Sequence, residues 1–253
     1  MKEGKSQKNF KISIRAKILT GMIACVLIVT NLIGWFFIVQ AKDTLLEQCK
    51  NNARNSAKIA AERIDGDILG QIKAGDEKTE NYKEILKEIK NLGLKGIKLH
   101  PDYQDMYFDD IRYEHIVDTA SELGLITVVH AGADPKCPKD VHCTPKMARK
   151  LLDDVKPEKL VLAHMGGNEM WDEVEKYLVG QNVYFDTGVI LDRMPEEQFL
   201  RMVHMHGADR ILFGTDSPWA DQKKFVTLFD QMPLTEEEKM AVFSGNAKKL
   251  LGI

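Results

Sequence analysis

Two histidines and one aspartate directly follow apolar runs in this sequence, and residues of these types can bind a divalent metal. They are His130 after LITVV, His164 after LVLA and Asp216 after ILFGT. Neutral imidazoles and a carboxylate are ligands of catalytic zinc, which lowers the pKa of a bound water to about 7. The sequence therefore predicts a site for a divalent metal, zinc in the first place and manganese as the alternative, that activates water.

Each of these residues taken singly has a plainer interpretation. A histidine at the end of a strand is often buried in the core with its hydrogen bonds satisfied, and Asp216 can cap the turn before Pro218. However, all three residues occupy the same position relative to an apolar run. This repetition favours one shared site over three separate structural roles.

The elements that would position these residues alternate between strand and helix from about residue 86. Apolar runs predict five strands, at 95–100, 126–130, 160–164, 183–187 and 211–214. Helices are predicted between them, for example at 144–155 with Thr144 as the cap and Pro145 in the first turn. Strands that alternate with helices imply an α/β fold with a parallel sheet. Polar residues at the strand ends favour a partial (β/α)8 TIM barrel over an open doubly wound sheet.

The chain before residue 86 has a different composition and predicts three further segments. Residues 1–17 are basic, and residues 18–41 carry no charge over a length that exceeds the roughly 20 apolar residues of a transmembrane helix. The basic flank predicts a single-pass membrane protein with its amino terminus in the cytoplasm. A cleavable signal peptide is the alternative, although its apolar core is usually about 7–15 residues. Residues 42–85 are predicted to form a long polar helical segment.

Composition narrows the range of partners. The net charge is −3, and we find no basic patch with interleaved aromatic residues, so nucleic-acid binding is not expected. A small-molecule substrate and the membrane, through residues 18–41, are the expected partners. The sequence does not predict an oligomeric state.

Residues 86–253 resemble the carboxyl-terminal two-thirds of an enzyme of the amidohydrolase superfamily. The resemblance is to the branch that includes aminocarboxymuconate-semialdehyde decarboxylase. It rests on the ordered motifs KGIKLHP (95–101), VVHAG (128–132), HCTP (142–145), LAHMGG (162–167) and FGTDSP (213–218). It implies that His130 is a metal ligand and that His164 lies beside the metal, as a ligand or a polarising catalytic group. It also implies that Asp216 binds the metal and accepts the proton of the water.

The activity that this resemblance implies is metal-dependent hydrolysis. A metal-bound hydroxide would attack a C–N or C–O bond, and non-oxidative decarboxylation occurs in the same branch. We predict substrate contacts for Lys98, His100 and His142. The segment Asp102–Asp105 is predicted to be a loop that shapes the substrate site.

One departure from the family pattern puts this activity in doubt. The first strand of the family ends in an H-x-H or E-x-H pair of metal ligands, but no histidine precedes His100 in this chain. The motif His204-Met205-His206 is late and lies on a predicted helix, so we interpret it as structural. Residues 1–85 instead resemble the start of a bacterial transmembrane sensor. The alternative functions are therefore a membrane-anchored sensory or binding protein with a catalytically dead barrel, and a non-functional fusion.

Overall fold

The computed structural model describes Gln40 and the residues 81–137 and 140–253. The predicted basic tail, transmembrane helix and polar helical segment lie outside these residues, apart from Gln40 and the last few residues before 86. Within the described part, no helix combines the length and the apolar character needed to cross a membrane.

A parallel sheet of five strands organises the described part of the chain. The strands are β1 (Gly96–Leu99), β2 (Ile126–Val129), β3 (Leu160–Leu162), β4 (Tyr184–Asp186) and β5 (Ile211–Leu212). They lie side by side in the order of the sequence, and every pairing is parallel. The predicted strands and the predicted parallel sheet are therefore confirmed. Among the described strands β1 and β5 do not pair with each other, so the sheet is open.

Helices connect and follow these strands. They are α1 (Asn81–Asn91), α2 (Pro101–Gln104), α3 (Ile111–Glu122), α4 (Pro145–Val155), α5 (Trp171–Tyr177), α6 (Glu196–His206), α7 (Gln222–Asp230), α8 (Glu236–Met240) and α9 (Asn246–Leu251). The Thr144 side chain accepts from the backbone N–H of Met147, and Pro145 opens α4, as predicted. Thr235 and Glu238 form a capping box that starts α8.

The main core lies between the strands and the apolar faces of the helices. Leu151 of α4, Leu162 of β3, Phe185 of β4 and Phe199 of α6 are all fully or almost fully buried there. Burying a side chain of this size is worth about 1.5–3 kcal/mol. Packing of this kind fixes the strands, and with them the polar residues at their carboxyl ends.

One local prediction was wrong. Asp102 was expected in a loop, but it lies in the short helix α2, and its side chain is fully buried. Pro101 at the first position of α2 explains the helical turn, since proline is pre-organised for that position.

Candidate metal centre

A cavity of about 400 Å³ lies at the carboxyl ends of the strands. The residues that line it include five of the six predicted site residues, Lys98, His100, His130, His164 and Asp216. They come from four strands or the loops that follow them, which explains why their spacing in the sequence is wide. The fold therefore brings the predicted metal and substrate residues, other than His142, to one place.

His164 is held in a single orientation. Its backbone N–H donates to Oδ1 of Asp186 at 2.9 Å, and its carbonyl oxygen accepts from the indole N–H of Trp171 at 3.2 Å. Its Nδ1 lies 2.9 Å from the carbonyl oxygen of Gly188. Because a carbonyl oxygen only accepts, this Nδ1 carries the hydrogen, and Nε2 of the neutral ring has a free lone pair.

The free Nε2 of His164 points at His130. It lies 3.0 Å from Nδ1 of His130, and the two rings are inclined at 67°. On the other side of His130, Nε2 faces Oδ2 of Asp102 at 3.8 Å. Neither of those two atoms has a hydrogen-bond partner among the described residues. His130 thus stands between a free imidazole lone pair and a buried carboxylate.

A neutral His130 cannot satisfy both neighbours. With its hydrogen on Nδ1, its Nε2 lone pair faces the carboxylate of Asp102, and with its hydrogen on Nε2, two lone pairs meet at Nδ1. A doubly protonated ring would satisfy both, but burial and then His164, His100 and Lys98 lower its pKa to about 3. A cation between His130 and His164 resolves the conflict.

The spacing of the two nitrogens is that of a hydrogen bond and is close to that of a shared ion. Two nitrogens bound at about 2.1 Å to one tetrahedral ion lie about 3.4 Å apart, and Nδ1 of His130 lies 3.0 Å from Nε2 of His164. A shift of about 0.4 Å would therefore let these two residues hold the divalent ion that the sequence predicts.

Asp216 and His164 both lie against Gly188, which follows β4. A Cβ atom at Gly188 would lie 3.1 Å from Cβ of Asp216 and 3.4 Å from Nδ1 of His164. Asp216 and His164 both adopt a positive φ, 55° and 60°, as does Val189 in the same cavity wall, at 54°. Such conformations cost about 1–3 kcal/mol each in residues other than glycine and cluster at functional sites.

His100 and Asp134 form a second group beside His130. Nitrogen and oxygen atoms of these three residues lie within 4.8 Å of one another, so the group could also hold a metal ion. The rings of His100 and His130, however, are stacked at 4.2 Å with only 6° between their planes. Ring lone pairs lie in the ring plane, so two parallel rings cannot direct them at one ion. This group would need a ring rotation to direct its lone pairs at one ion, and among the described residues no comparable group of three contains His164 or Asp216.

The cavity wall also carries positive charge. Lys98 lines the cavity and is partly open to solvent; desolvation lowers its pKa while the carboxylates of Asp186 and Asp216 oppose that effect. Lys136 and Arg193 line the cavity too, and Nζ of Lys136 lies 4.4 Å from the centre of an aromatic ring, that of Trp219. The cations favour an anionic ligand.

His142 does not line this cavity. Its backbone N–H and its Nδ1 lie 3.0 and 3.1 Å from Oδ1 of Asp102, and its ring stacks on Tyr107. It is therefore separated from His130 by the carboxylate of Asp102. Direct substrate contact by His142 stays a prediction.

The late H-x-H motif is separate from the cavity. His206 is 1% exposed, accepts from the backbone N–H of Gly180 at Nδ1, and donates from Nε2 to the carbonyl oxygen of Val183. His204 is exposed and lies 3.7 Å from Glu238. This geometry agrees with a structural role for the motif.

Comparison with known protein families identifies the chain. The sequence profile of a family described as amidohydrolase matches residues 37–253. The chain belongs to the amidohydrolase family. The match begins well before residue 86, where the resemblance in the sequence was recognised. A comparison with curated proteins finds no match.

Solved structures show the same fold. An uncharacterised TIM-barrel protein from Bordetella bronchiseptica is 22% identical with a TM-score of 0.58, over 68% of this chain and 62% of that one. A dihydroxybenzoic acid decarboxylase from Polaromonas, with bound manganese and 2-nitroresorcinol, is 18% identical with a TM-score of 0.51, over 68% and 65%. A 5-carboxyvanillate decarboxylase from Novosphingobium aromaticivorans, with bound manganese and 3-methoxy-4-hydroxy-5-nitrobenzoic acid, is 17% identical with a TM-score of 0.54, over 69% and 62%.

These comparisons support a partial TIM barrel for this amidohydrolase. At such identities the likeness shows the fold alone, and the chain spans less than two thirds of the length of each of the three proteins. The prediction of a partial barrel with enzyme ancestry is confirmed at this level.

Several residues of the amidohydrolase cavity were not predicted from the sequence, among them Asp134, Asn168, Arg193 and Trp219. Two of them had a recognisable signal, because Asp134 and Asn168 each lie four residues beyond a strand-end histidine. Nδ2 of Asn168 donates to the carbonyl oxygen of Ala133, and its buried Oδ1 has no partner among the described residues. Arg193 and Trp219 lie in loops where no local pattern marks them.

Proposed function

We propose that this amidohydrolase is a metal-dependent enzyme that acts on a small anionic substrate. It would hydrolyse a C–N or C–O bond or release carbon dioxide without oxidation. The observation that carries the proposal is that His130, His164 and Asp216 line one cavity at the carboxyl ends of the strands. A divalent ion held by His130, His164 and Asp216 would supply Lewis-acid chemistry toward a water molecule or a substrate oxygen.

The residues of the chain have separate tasks in this proposal. Asp216 lies beside His164 and would accept a proton at its carboxylate, as a general base. His164 would keep its hydrogen on Nδ1, because that atom donates to Gly188, and would present Nε2 to the cavity. Lys98, with Arg193 at the same wall, would bind the anionic group of the substrate and orient it.

The metal is proposed to be zinc or manganese. Imidazole and carboxylate ligands suit both ions, and two structural relatives contain manganese. The test is metal analysis of the purified full-length chain after exchange against each ion. Binding of about one ion per chain supports the proposal, and absence of either ion above background contradicts it.

A matched pair of variants assigns the ion to the cavity. Asp216→Asn removes the proposed ligand, whereas Asp230→Asn makes the same chemical change on an exposed side chain outside the cavity. We expect the first variant to lose metal and the second to keep it. Equal metal content in both variants would exclude Asp216 as a ligand.

Decarboxylation and hydrolysis can be separated by their products. Because one structural relative is a dihydroxybenzoic acid decarboxylase, dihydroxybenzoate is the first substrate to test for release of carbon dioxide. Amides and lactones of aromatic carboxylic acids test hydrolysis, since they keep an anionic group for Lys98. Loss of either activity in Asp216→Asn, but not in Asp230→Asn, would assign it to this site.

A binding protein with a catalytically dead barrel is the second candidate function. It is favoured by one observation, the lack of any histidine before His100 that could complete the metal site with an H-x-H pair. In that case anionic ligands would bind at the cavity without turnover. Saturable binding of dihydroxybenzoate to a metal-free, inactive chain would support this candidate against the enzyme.

We also propose that residues 18–41 anchor the protein in a membrane with residues 1–17 in the cytoplasm. The support is the uncharged stretch and its basic flank. Residues 42–85 would then link the anchor to the partial barrel formed by residues 86–253. Retention in the membrane fraction after alkaline extraction supports the anchor, and complete release of the chain contradicts it.

A further inference from the structure

We infer that Asp102 is a positioning residue that holds His130 with its hydrogen on Nε2 and thereby leaves Nδ1 free for a metal. This inference rests on the proposed metal site and concerns how the chain prepares it. Asp102 follows β1, two residues after His100, and is not among the residues that line the cavity. Among the residues that line the cavity, the one that its carboxylate faces is His130.

The burial of Asp102 is the first observation. Its side chain is fully buried, and the side chains whose polar atoms face it are those of His142 and His130. A buried carboxylate is costly unless donors compensate it. Asp102 thus needs the hydrogens that these two histidines can provide.

The two oxygens of Asp102 have different neighbours. Oδ1 accepts from the backbone N–H of His142 at 3.0 Å and faces Nδ1 of the same residue at 3.1 Å. Oδ2 faces Nε2 of His130 at 3.8 Å, and within the described part of the chain both of these atoms are buried without a partner. This distance is longer than a hydrogen bond, and a shift of about 1 Å would form one. His142 therefore occupies one oxygen and leaves the other for His130.

The two tautomers of His130 place opposite demands on its neighbours. A hydrogen on Nδ1 fits the 3.0 Å contact with the neutral Nε2 of His164 and leaves a lone pair facing the carboxylate. A hydrogen on Nε2 has a charged acceptor, which makes the stronger hydrogen bond once Oδ2 of Asp102 is within reach, but two lone pairs then face each other unless a metal lies between them. With a metal bound, the carboxylate thus favours the tautomer whose free nitrogen faces His164 and the cavity.

The direct test is the tautomer of His130 in the full-length chain. Nitrogen-15 spectra of histidine-labelled protein in detergent distinguish a protonated from a free ring nitrogen, and His130→Gln assigns the signal. We expect Nε2–H in the zinc-loaded wild type, with zinc on Nδ1. A zinc-loaded wild type with zinc on Nε2, or with no hydrogen on Nε2, would overturn the inference whether or not any variant folds.

The variant Asp102→Asn is expected to reverse which ring nitrogen of His130 carries the hydrogen. Because His142 donates to the Oδ1 position, the amide oxygen must stay there, and the NH2 group must face Nε2 of His130. The ring is then expected to carry its hydrogen on Nδ1, and zinc affinity is expected to fall by about 10- to 100-fold. Asp105→Asn is the matched control, since Asp105 is 96% exposed and faces His142 from the other side.

The outcomes separate this inference from the proposed function. Zinc binding by the wild type with unchanged affinity in Asp102→Asn would overturn the positioning role and leave the metal site standing. Absence of zinc binding by the wild type would overturn the proposed function, and with it the role of Asp102 toward a metal. A loss of affinity and an inverted tautomer in Asp102→Asn, but not in Asp105→Asn, would support both.

Discussion

The buried histidine of the late H-x-H motif is expected to make the protein sensitive to mild acid without affecting the metal site. Nδ1 of His206 accepts from Gly180 and its Nε2 donates to Val183, so a neutral ring satisfies both contacts. Protonation would place a second hydrogen on Nδ1, opposite the N–H of Gly180. Burial, reinforced by the nearby charge of Arg210, lowers the pKa of His206 from 6.5 to about 4, although Val183 and Asp209 oppose this.

The sign of the effect follows from proton linkage. The unfolded chain binds a proton at His206 below about pH 6.5, whereas the folded chain does so only below about pH 4. The contribution of the neutral ring to stability is therefore complete above pH 6.5 and is lost as the pH falls toward 4. The full loss is about 3 kcal/mol, of which about 2 kcal/mol is expected at pH 5.

The assay compares urea unfolding at pH 7 and pH 5, followed by tryptophan fluorescence of the full-length chain in detergent. His206→Gln cannot titrate, so the wild type should lose about 2 kcal/mol more than this variant between the two pH values. His204→Gln is the control from the same helix, because His204 is exposed, and it should behave as the wild type. Equal pH dependence of the wild type and His206→Gln would refute the reasoning, and loss of zinc in His206→Gln would contradict the structural role.

Three further predictions concern Gly188, Thr187 and the metal of the proposed site. Gly188→Ala places a Cβ atom 3.1 Å from Cβ of Asp216, and calorimetry should show a zinc affinity that is lower by about 10-fold or more. Gly214→Ala is the control and should be tolerated, because the atoms nearest to its new Cβ lie 3.9 Å away. The Thr187 hydroxyl donates to the carbonyl oxygen of Gly214 and accepts from its N–H. Thr187→Val should therefore lower the free energy of unfolding in urea by about 1–3 kcal/mol for each group left unpaired, and Thr187→Ser should lower it less. Removal of zinc by a chelator should lower thermal stability, by about 2.7 kcal/mol relative to zinc at a hundredfold excess over its Kd. The same treatment should leave His130→Gln unchanged, and an equal response of that variant would place the zinc elsewhere.

The positions of the strands could be read from local sequence. Each is a short apolar run rich in β-branched residues, such as ITVV in β2 and LVL in β3, and such runs form buried parallel strands wherever helices cover them. The identity of His130, His164 and Asp216 as one group could also be predicted, because parallel strands direct their carboxyl ends to one edge. Sequence alone therefore determined the fold class and that His130, His164 and Asp216 meet at one cavity.

The surroundings of Asp102 depended on tertiary structure. Its sequence context, His-Pro-Asp-Tyr, suggested a loop that shapes the substrate site, whereas the fold buries it against a residue 40 positions later, His142. The long segment between them contains helix α3 and strand β2, so no local pattern could predict the contact. The same holds for Arg193, which lines the cavity from a loop.

The tautomers of the site were likewise decided only by the folded chain. A histidine in a sequence has two equivalent choices for its hydrogen, and the choice is made by the atoms that surround the ring. For His164 that atom is the carbonyl oxygen of Gly188, and for His130 we infer that it is the carboxylate of Asp102. The sequence predicted His130, His164 and Asp216 as metal ligands, and the tertiary structure decided what surrounds their rings and carboxylate, because hydrogen bonds form between atoms that only folding brings together.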